Sequence, residues 1–247
     1  MSVRLITIPV SHYCEKARWA LERCGVAYEE DGHLPLFHYI ANIFARASRT
    51  VPAVIDGATR ITDSTEIVAW ADGKKPGTLL PDDPTLRTAA LALEDQLDNH
   101  FGPATRRWAS FQLLPRTDLD DILTRGVPRW EKIAFKVTRP VAVGLLKRGL
   151  KIDAAGVERS RVKIEETFAL IEETLAEGRR YLVGNRFSVA DLTFASLASP
   201  ILLPREHPFG LPAADEFSEA ARAQIEAWRA SPAGKFALRI YADHRAV

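Results

Sequence analysis

Ser11, His12, Tyr13 and Cys14 put a hydroxyl and a thiol three positions apart, where an apolar run gives way to a helical one. A helix start presents unpaired N–H groups and a partial positive charge, and both stabilise an anion. A serine hydroxyl there can donate a hydrogen bond to a bound thiolate, or it can simply cap the helix. Cys14, one turn further in, is a second candidate, because a thiolate near a helix start is also stabilised. The alternative for Cys14 is packing. Val51-Pro52 marks a tight X-Pro turn of the kind that can be cis. It leaves the Val51 N–H and C=O to pair with an extended ligand, unless the proline only starts an edge strand. Asp63-Ser64 stands at a helix start. Free N–H groups and the Ser64 hydroxyl suit a carboxylate, and Asp63 suits an ammonium group. The plainer alternative is an ordinary cap pair.

These residues need elements to place them. Residues 3–8 (VRLITI) read as a strand ended by Pro9. The helix opened by Ser11 carries Cys14, Ala17, Arg18, Leu21 and Cys24 at near-helical spacing and stops at Gly25. A strand at 26–30 and a looser helix at 35–47 follow. Val51–Gly57 is a strand with an Asp-Gly turn, paired with 60–62 as a hairpin. A helix runs from Asp63 through Ala71. The order is β-α-β-α-β-β-α within the first 72 residues. Residues 73–84, rich in Gly and Pro, read as a linker.

Beyond the linker the pattern is helical. Residues 85–114 form a long stretch kinked at Gly102-Pro103. Residues 160–177 carry one apolar face, 189–197 are apolar all round and so buried, and 225–241 close the chain. Ser188-x-x-Asp191, flanked by Phe187 and Leu192, is a capping box with its hydrophobic staple. Its role is folding, worth roughly 1 kcal/mol for the cap. Pro200, Pro204, Pro208 and Pro212 predict an extended crossing loop.

The chain has 247 residues with 33 Lys+Arg against 32 Asp+Glu, so a general nucleic-acid binder with its basic surplus is not expected. A hydrophobic fraction of 47% is too high for a disordered chain and supports one large or two small cores. Cys14 and Cys24 on one helix would sit about 15 Å apart, beyond the roughly 7 Å limit for a disulfide. Two cysteines and scattered histidines do not build a zinc cage, so no metal is expected. A reducing, cytoplasmic setting follows, with neither signal peptide nor membrane span.

Taken together, strand–SHYC–helix, then VPAVID, then TDST–helix, then an all-helical remainder resembles the soluble glutathione transferases over nearly the whole chain. Ser11-x-x-Cys14 is similar to the C-P-Y-C turn of glutaredoxins with its first cysteine replaced by serine. The resemblance implies a thioredoxin-like α/β domain (1–75) that binds glutathione and an all-α domain (85–247) that binds the second substrate. It implies that Ser11 donates to the glutathione sulfur, that Val51 beside Pro52 pairs with the cysteinyl backbone, and that Asp63 with Ser64 holds the γ-glutamyl end. Arg49, with His38 behind it, is the candidate for the glycine carboxylate. The activity implied is conjugation of glutathione to a hydrophobic electrophile, a detoxification reaction, by a cytoplasmic homodimer.

His12 stands where similar proteins often carry proline, and it is expected to contact substrate or face solvent. Tyr13, Arg107, Trp108 and Phe111 are candidate pocket residues, with core packing as the alternative for the aromatics. Lys132–Lys151 holds six basic residues and no acidic one around an apolar VAVGLL centre. It reads as a helix-loop-helix with solvated basic ends, the alternative being contact with a membrane or anionic ligand. Two other functions stay open: a thiol-disulfide or deglutathionylating enzyme using Cys14, and a non-catalytic glutathione or ligand carrier.

Overall fold

The computed structural model describes residues 2–245. Strand β1 (Val3–Thr7) is central, because its side chains must bury both ways. Leu5 joins the main core, while Ile6, on the other face, packs with Ala45 and Ala53. Helix α1 (His12–Arg23) returns the chain to β2 (Tyr28–Gly32), parallel to β1. Helix α2 (His38–Ala45) leads to β3 (Ala53–Asp56) and β4 (Thr59–Ile61), both antiparallel to their neighbours. The sheet order is β2-β1-β3-β4, and α3 (Ser64–Lys74) packs beside α1.

The segment after α3 is pinned rather than loose. The buried Asp72 carboxylate accepts from the Leu79 and Leu80 N–H groups at 2.7 and 3.1 Å. The Leu79 carbonyl in turn accepts from Val189 N–H at 2.8 Å.

The helical part is α4 (Pro84–Gln96), a π turn (Leu97–Phe101), α5 (Gly102–Leu113), α6 (Asp120–Leu123), α7 (Arg129–Gly149), α8 (Ala154–Leu175), α9 (Val189–Leu202), α10 (Glu219–Ala230) and α11 (Pro232–His244). Every residue of α9 except Pro200 is buried, as its all-round apolar sequence requires. Asp191 accepts from the Ser188 and Leu182 N–H groups at 2.9 and 2.8 Å, so the helix starts with its polar ends satisfied.

Four expectations change. The break in 85–114 is a π turn ahead of Gly102, with Pro103 in the first turn of α5, where its missing N–H is harmless. Pro200 lies inside α9, so the crossing loop begins only after Leu203. Residues 225–241 are two helices, broken at Ser231-Pro232, where the Ser231 hydroxyl accepts from Gly234 N–H at 3.1 Å. Residues 132–151 are not a helix-loop-helix. One continuous helix runs through Pro140, whose lost hydrogen bond belongs to the solvent-exposed Lys136 carbonyl turn.

Candidate active site

The chain order brings three motifs to one end of the sheet. β1 delivers Ser11 to the start of α1, and the β1–β3 register sets the end of β1 beside the turn before Ala53. The Val51–Pro52 bond in that turn is cis. Two bonds tie the turn to its neighbours. Asn42 Nδ2 on α2 donates to the Thr50 carbonyl at 3.0 Å, and the Thr50 hydroxyl donates to the Thr62 carbonyl at 3.2 Å. Asp63, exposed, caps α3 and accepts from Thr65 N–H at 2.8 Å, while Ser64 is buried.

Ser11 occupies the N-cap position with extended backbone, yet its hydroxyl makes no cap bond among the described residues. It is half-buried, next to the unpaired N–H groups of the first turn. Cys14 differs in every respect. It is fully buried, accepts from Ile8 N–H at 3.4 Å, and burial pushes its thiol up to about 11 despite the nearby Arg18 guanidinium. Cys24 is also buried, free, and pushed up to about 11 by burial.

His12 neither faces solvent nor stands open to substrate. It is 2% exposed and its Nε2 lies 3.0 Å from the Gly102 carbonyl. Burial, with the Arg106 charge, brings its pKa down to about 3, so the ring is neutral and docks α1 on α5. The Tyr13 hydroxyl donates to the Asp98 carbonyl at 2.8 Å, and burial with nearby carboxylates raises its pKa. Trp108 is a core residue, 1% exposed, packed edge-on against Trp228 with its Nε1–H donating to Gln224 at 2.9 Å. Phe111 and Trp108 line a cleft of about 260 Å³ with Val157, Glu158, Arg161 and Gln224, none of which belongs to the Ser11 group. Arg107 donates to the Leu150 carbonyl and to Ser160, a structural use. Arg49 is exposed at the end of the α2 loop, and His38 is buried, where desolvation lowers its pKa. A cleft of about 480 Å³ between residues 77–86 and 183–188 also lies among residues outside the Ser11 group.

Around Tyr13 and the first turn of α3 stand residues that spacing did not single out. Arg106 on α5 sits over the Tyr13 ring at 5.8 Å, and burial lowers its pKa. Lys16 on α1 is fully buried between Glu94 and Asp98 and lies 3.4 Å from the Thr65 hydroxyl. Thr65 bonds both carboxylates, the one on Asp98 at 3.1 Å, so the cluster anchors the first turn of α3 behind Asp63-Ser64. Gly102 is needed because Tyr13 leaves no room, and a Cβ there would clash with Tyr13 Oη. Gly102→Ala is therefore expected to displace Tyr13 and cost about 1–3 kcal/mol, read as a lower urea midpoint with unchanged slope. An unchanged midpoint would mean that Tyr13 can move freely.

An α/β unit with a βαβ start and a cis-proline turn, followed by a helical unit, is the architecture of glutathione transferases. The profile "Glutathione S-transferase, N-terminal domain" matches residues 5–79, and "Glutathione S-transferase, C-terminal domain" matches residues 154–230. The chain belongs to the glutathione S-transferase family, which uses glutathione as a substrate. Among solved structures it is similar to the β-etherase LigF from Sphingobium sp. strain SYK-6, with TM-score 0.60 and 20% identity over 97% of this chain and 99% of that one. It is similar to glutathione transferase F2 from Populus trichocarpa, with TM-score 0.58 and 14% identity over 97% and 99%. It is also similar to glutathione S-transferase-I bound with lactoylglutathione, with TM-score 0.57 and 19% identity over 97% and 100%. No curated protein matches the chain in sequence. No helix among the described residues is long and apolar enough to cross a membrane.

Proposed function

We propose that the chain is a serine-type glutathione transferase that conjugates glutathione to a hydrophobic electrophile. The observation that carries this reading is the contrast at the start of α1. The Ser11 hydroxyl stands at the helix start with no cap bond and only the Cys14 thiol beside it, while that thiol is buried and held protonated. The reacting sulfur must then be borrowed.

In this mechanism the glutathione thiol releases its proton to solvent. The Ser11 hydroxyl and the α1 N-terminus hold the thiolate. The sulfur lone pair forms a C–S bond at the electrophilic carbon as the leaving group departs with its electron pair. Val51 supplies backbone pairing for the cysteinyl unit, Asp63 holds the γ-glutamyl ammonium group, and the α3 N-terminus with Ser64 holds its carboxylate. Residues 1–75 provide this half and residues 85–247 the wall for the electrophile, with Tyr13 and Arg106 at the junction. Arg49, exposed two residues before Val51 in the sequence, is the cation for the glycine carboxylate.

The test is calorimetric titration with glutathione, followed by turnover on activated aryl halides, epoxides and enones. Saturable binding with turnover on at least one class is expected. Binding without turnover on any would favour a carrier, and no binding would end the glutathione reading.

A further inference from the structure

Helix α7 turns an apolar stripe away from the protein. Its inner side, Glu131, Phe135 and Ala142, is buried, with Phe135 and Ala142 packing against Leu34 and Val127. On the outer side Trp130, Ile133, Val137, Val141 and Leu145 recur at three- and four-residue spacing and are 53, 60, 81, 66 and 55% exposed. An amphipathic helix ordinarily gives its apolar stripe to the core. Helix α2 extends the surface, because Ile43 and Phe44 are 73 and 82% exposed. Phe37, just ahead of α2, packs edge-on against Trp130 with ring centres 5.7 Å apart, so the two helices present neighbouring apolar faces. Exposed apolar patches of this kind mark interaction sites.

Charge identifies what covers it. Arg129, Lys132, Lys136, Lys147, Arg148 and Lys151 form no ion pair among the described residues, and Arg139 is paired with Asp120. Glu131, the acid of α7, is turned inward, where it accepts from Leu34 N–H at 2.8 Å. At 100° per residue, Arg129, Lys136 and Lys147 fall along one flank, about 100–120° from the centre of the stripe, and Lys132 lies further round the helix. Arg148 and Lys151 stand at its C-terminal end. Arg46 and Arg49 are exposed beyond α2. A second copy laid on this face would set cations against cations. An anionic lipid surface meets both features: acidic headgroups take the cations, and Trp130 with the aliphatic stripe enters the interface.

We propose that the α2–α7 face docks the protein on an anionic lipid surface, with α7 lying in the plane of the interface. This takes up the alternative of membrane contact over the expectation of solvated basic ends. That expectation weighed a helix-loop-helix, whereas the structure has one continuous helix whose apolar side faces out. Docking stands on this surface alone and not on the glutathione reading.

The test is co-sedimentation of the full chain with phosphatidylcholine vesicles, with and without phosphatidylserine. Binding is expected only where phosphatidylserine is present, and it should weaken as salt rises. Val137→Asp with Val141→Asp should abolish it. Lys136→Ala with Lys147→Ala should weaken it by about 30-fold, at roughly five-fold per cation. All four side chains lie outside the Ser11 group, so glutathione titration should be unchanged in both variants and reports on the other proposal separately. The inference is overturned if anionic vesicles are not bound, or if binding survives Val137→Asp with Val141→Asp. It is also overturned if that variant instead dissolves a dimer of a protein that ignores vesicles, which assigns the face to a second copy.

Discussion

Ser11→Ala is expected to lower kcat/KM for glutathione conjugation by about 100- to 1,000-fold, the usual loss when one preorganised donor to a reacting anion is removed. A free thiol titrates near 8.5, so most glutathione is protonated at neutral pH. Each unit by which the site lowers that value is about 1.4 kcal/mol of preference for the thiolate. Without the hydroxyl, only the α1 N-terminus supports the charge, and that is worth about 0.3–1 kcal/mol. The rise of kcat/KM with pH should therefore shift upward, toward the titration of free glutathione. Folding stability should move by no more than about 0.5 kcal/mol, because the hydroxyl makes no cap bond that alanine would lose. Cys14→Ser is the paired control. It replaces a buried thiol whose pKa is pushed up to about 11, so it should leave the rate within a few-fold. If Ser11→Ala keeps its activity and Cys14→Ser loses it, the chemistry belongs to thiol exchange after all.

The parts of this site that could be read from sequence are those whose chemistry is local. Ser11, Val51-Pro52 and Asp63-Ser64 each sit where an element begins or ends, and such ends have recognisable residue types. The wall behind them could not be read in this way. Lys16 meets Glu94 and Asp98 across 78 and 82 residues of chain, and it does so from the buried side of α1. A lysine surrounded by apolar residues looks like a breach of the pattern until its partners are known. The π turn at Leu97–Phe101 shifts the phase of the following helix, so a single straight helix over 85–114 misplaces everything after it. Trp108 then goes to the core and Arg106 to the Tyr13 ring. His12 is buried by a contact of the same long range, since its partner, the Gly102 carbonyl, lies 90 residues away. In α7 the basic residues around VAVGLL read as a helix-loop-helix, yet the helix runs unbroken through Pro140. An exposed proline inside a helix costs a hydrogen bond that water can replace, and the helix continues.

Lys16→Met is expected to cost about 3–5 kcal/mol near pH 7.5, because it leaves Glu94 and Asp98 buried without their cation. Against a total of about 5–15 kcal/mol for a typical protein, that is a large share. The pH dependence follows from Asp98. Burial raises its carboxyl to about 6 in the folded protein, while Lys16 pulls the other way. An unfolded aspartate titrates near 3.9, so the folded state binds this proton more tightly, and the carboxyl's contribution to stability falls as pH rises between these values. Removing the ammonium pushes the folded value higher still. The deficit of Lys16→Met should therefore be greatest at neutral pH and shrink on acidification, as the Asp98 carboxyl takes up its proton and no longer needs a cation. Urea unfolding of both proteins at about pH 7.5 and 5.5 reads this directly. A deficit under about 1 kcal/mol, or one equal at both pH values, would show that the cluster is not a coupled ion network. Adding Glu94→Gln and Asp98→Asn to Lys16→Met should recover most of the loss, since neutral partners of similar shape no longer need the charge. The same cluster holds Thr65 in the first turn of α3, so Lys16→Met should also raise KM for glutathione more than it lowers kcat. A change in kcat alone would detach the cluster from the γ-glutamyl clamp.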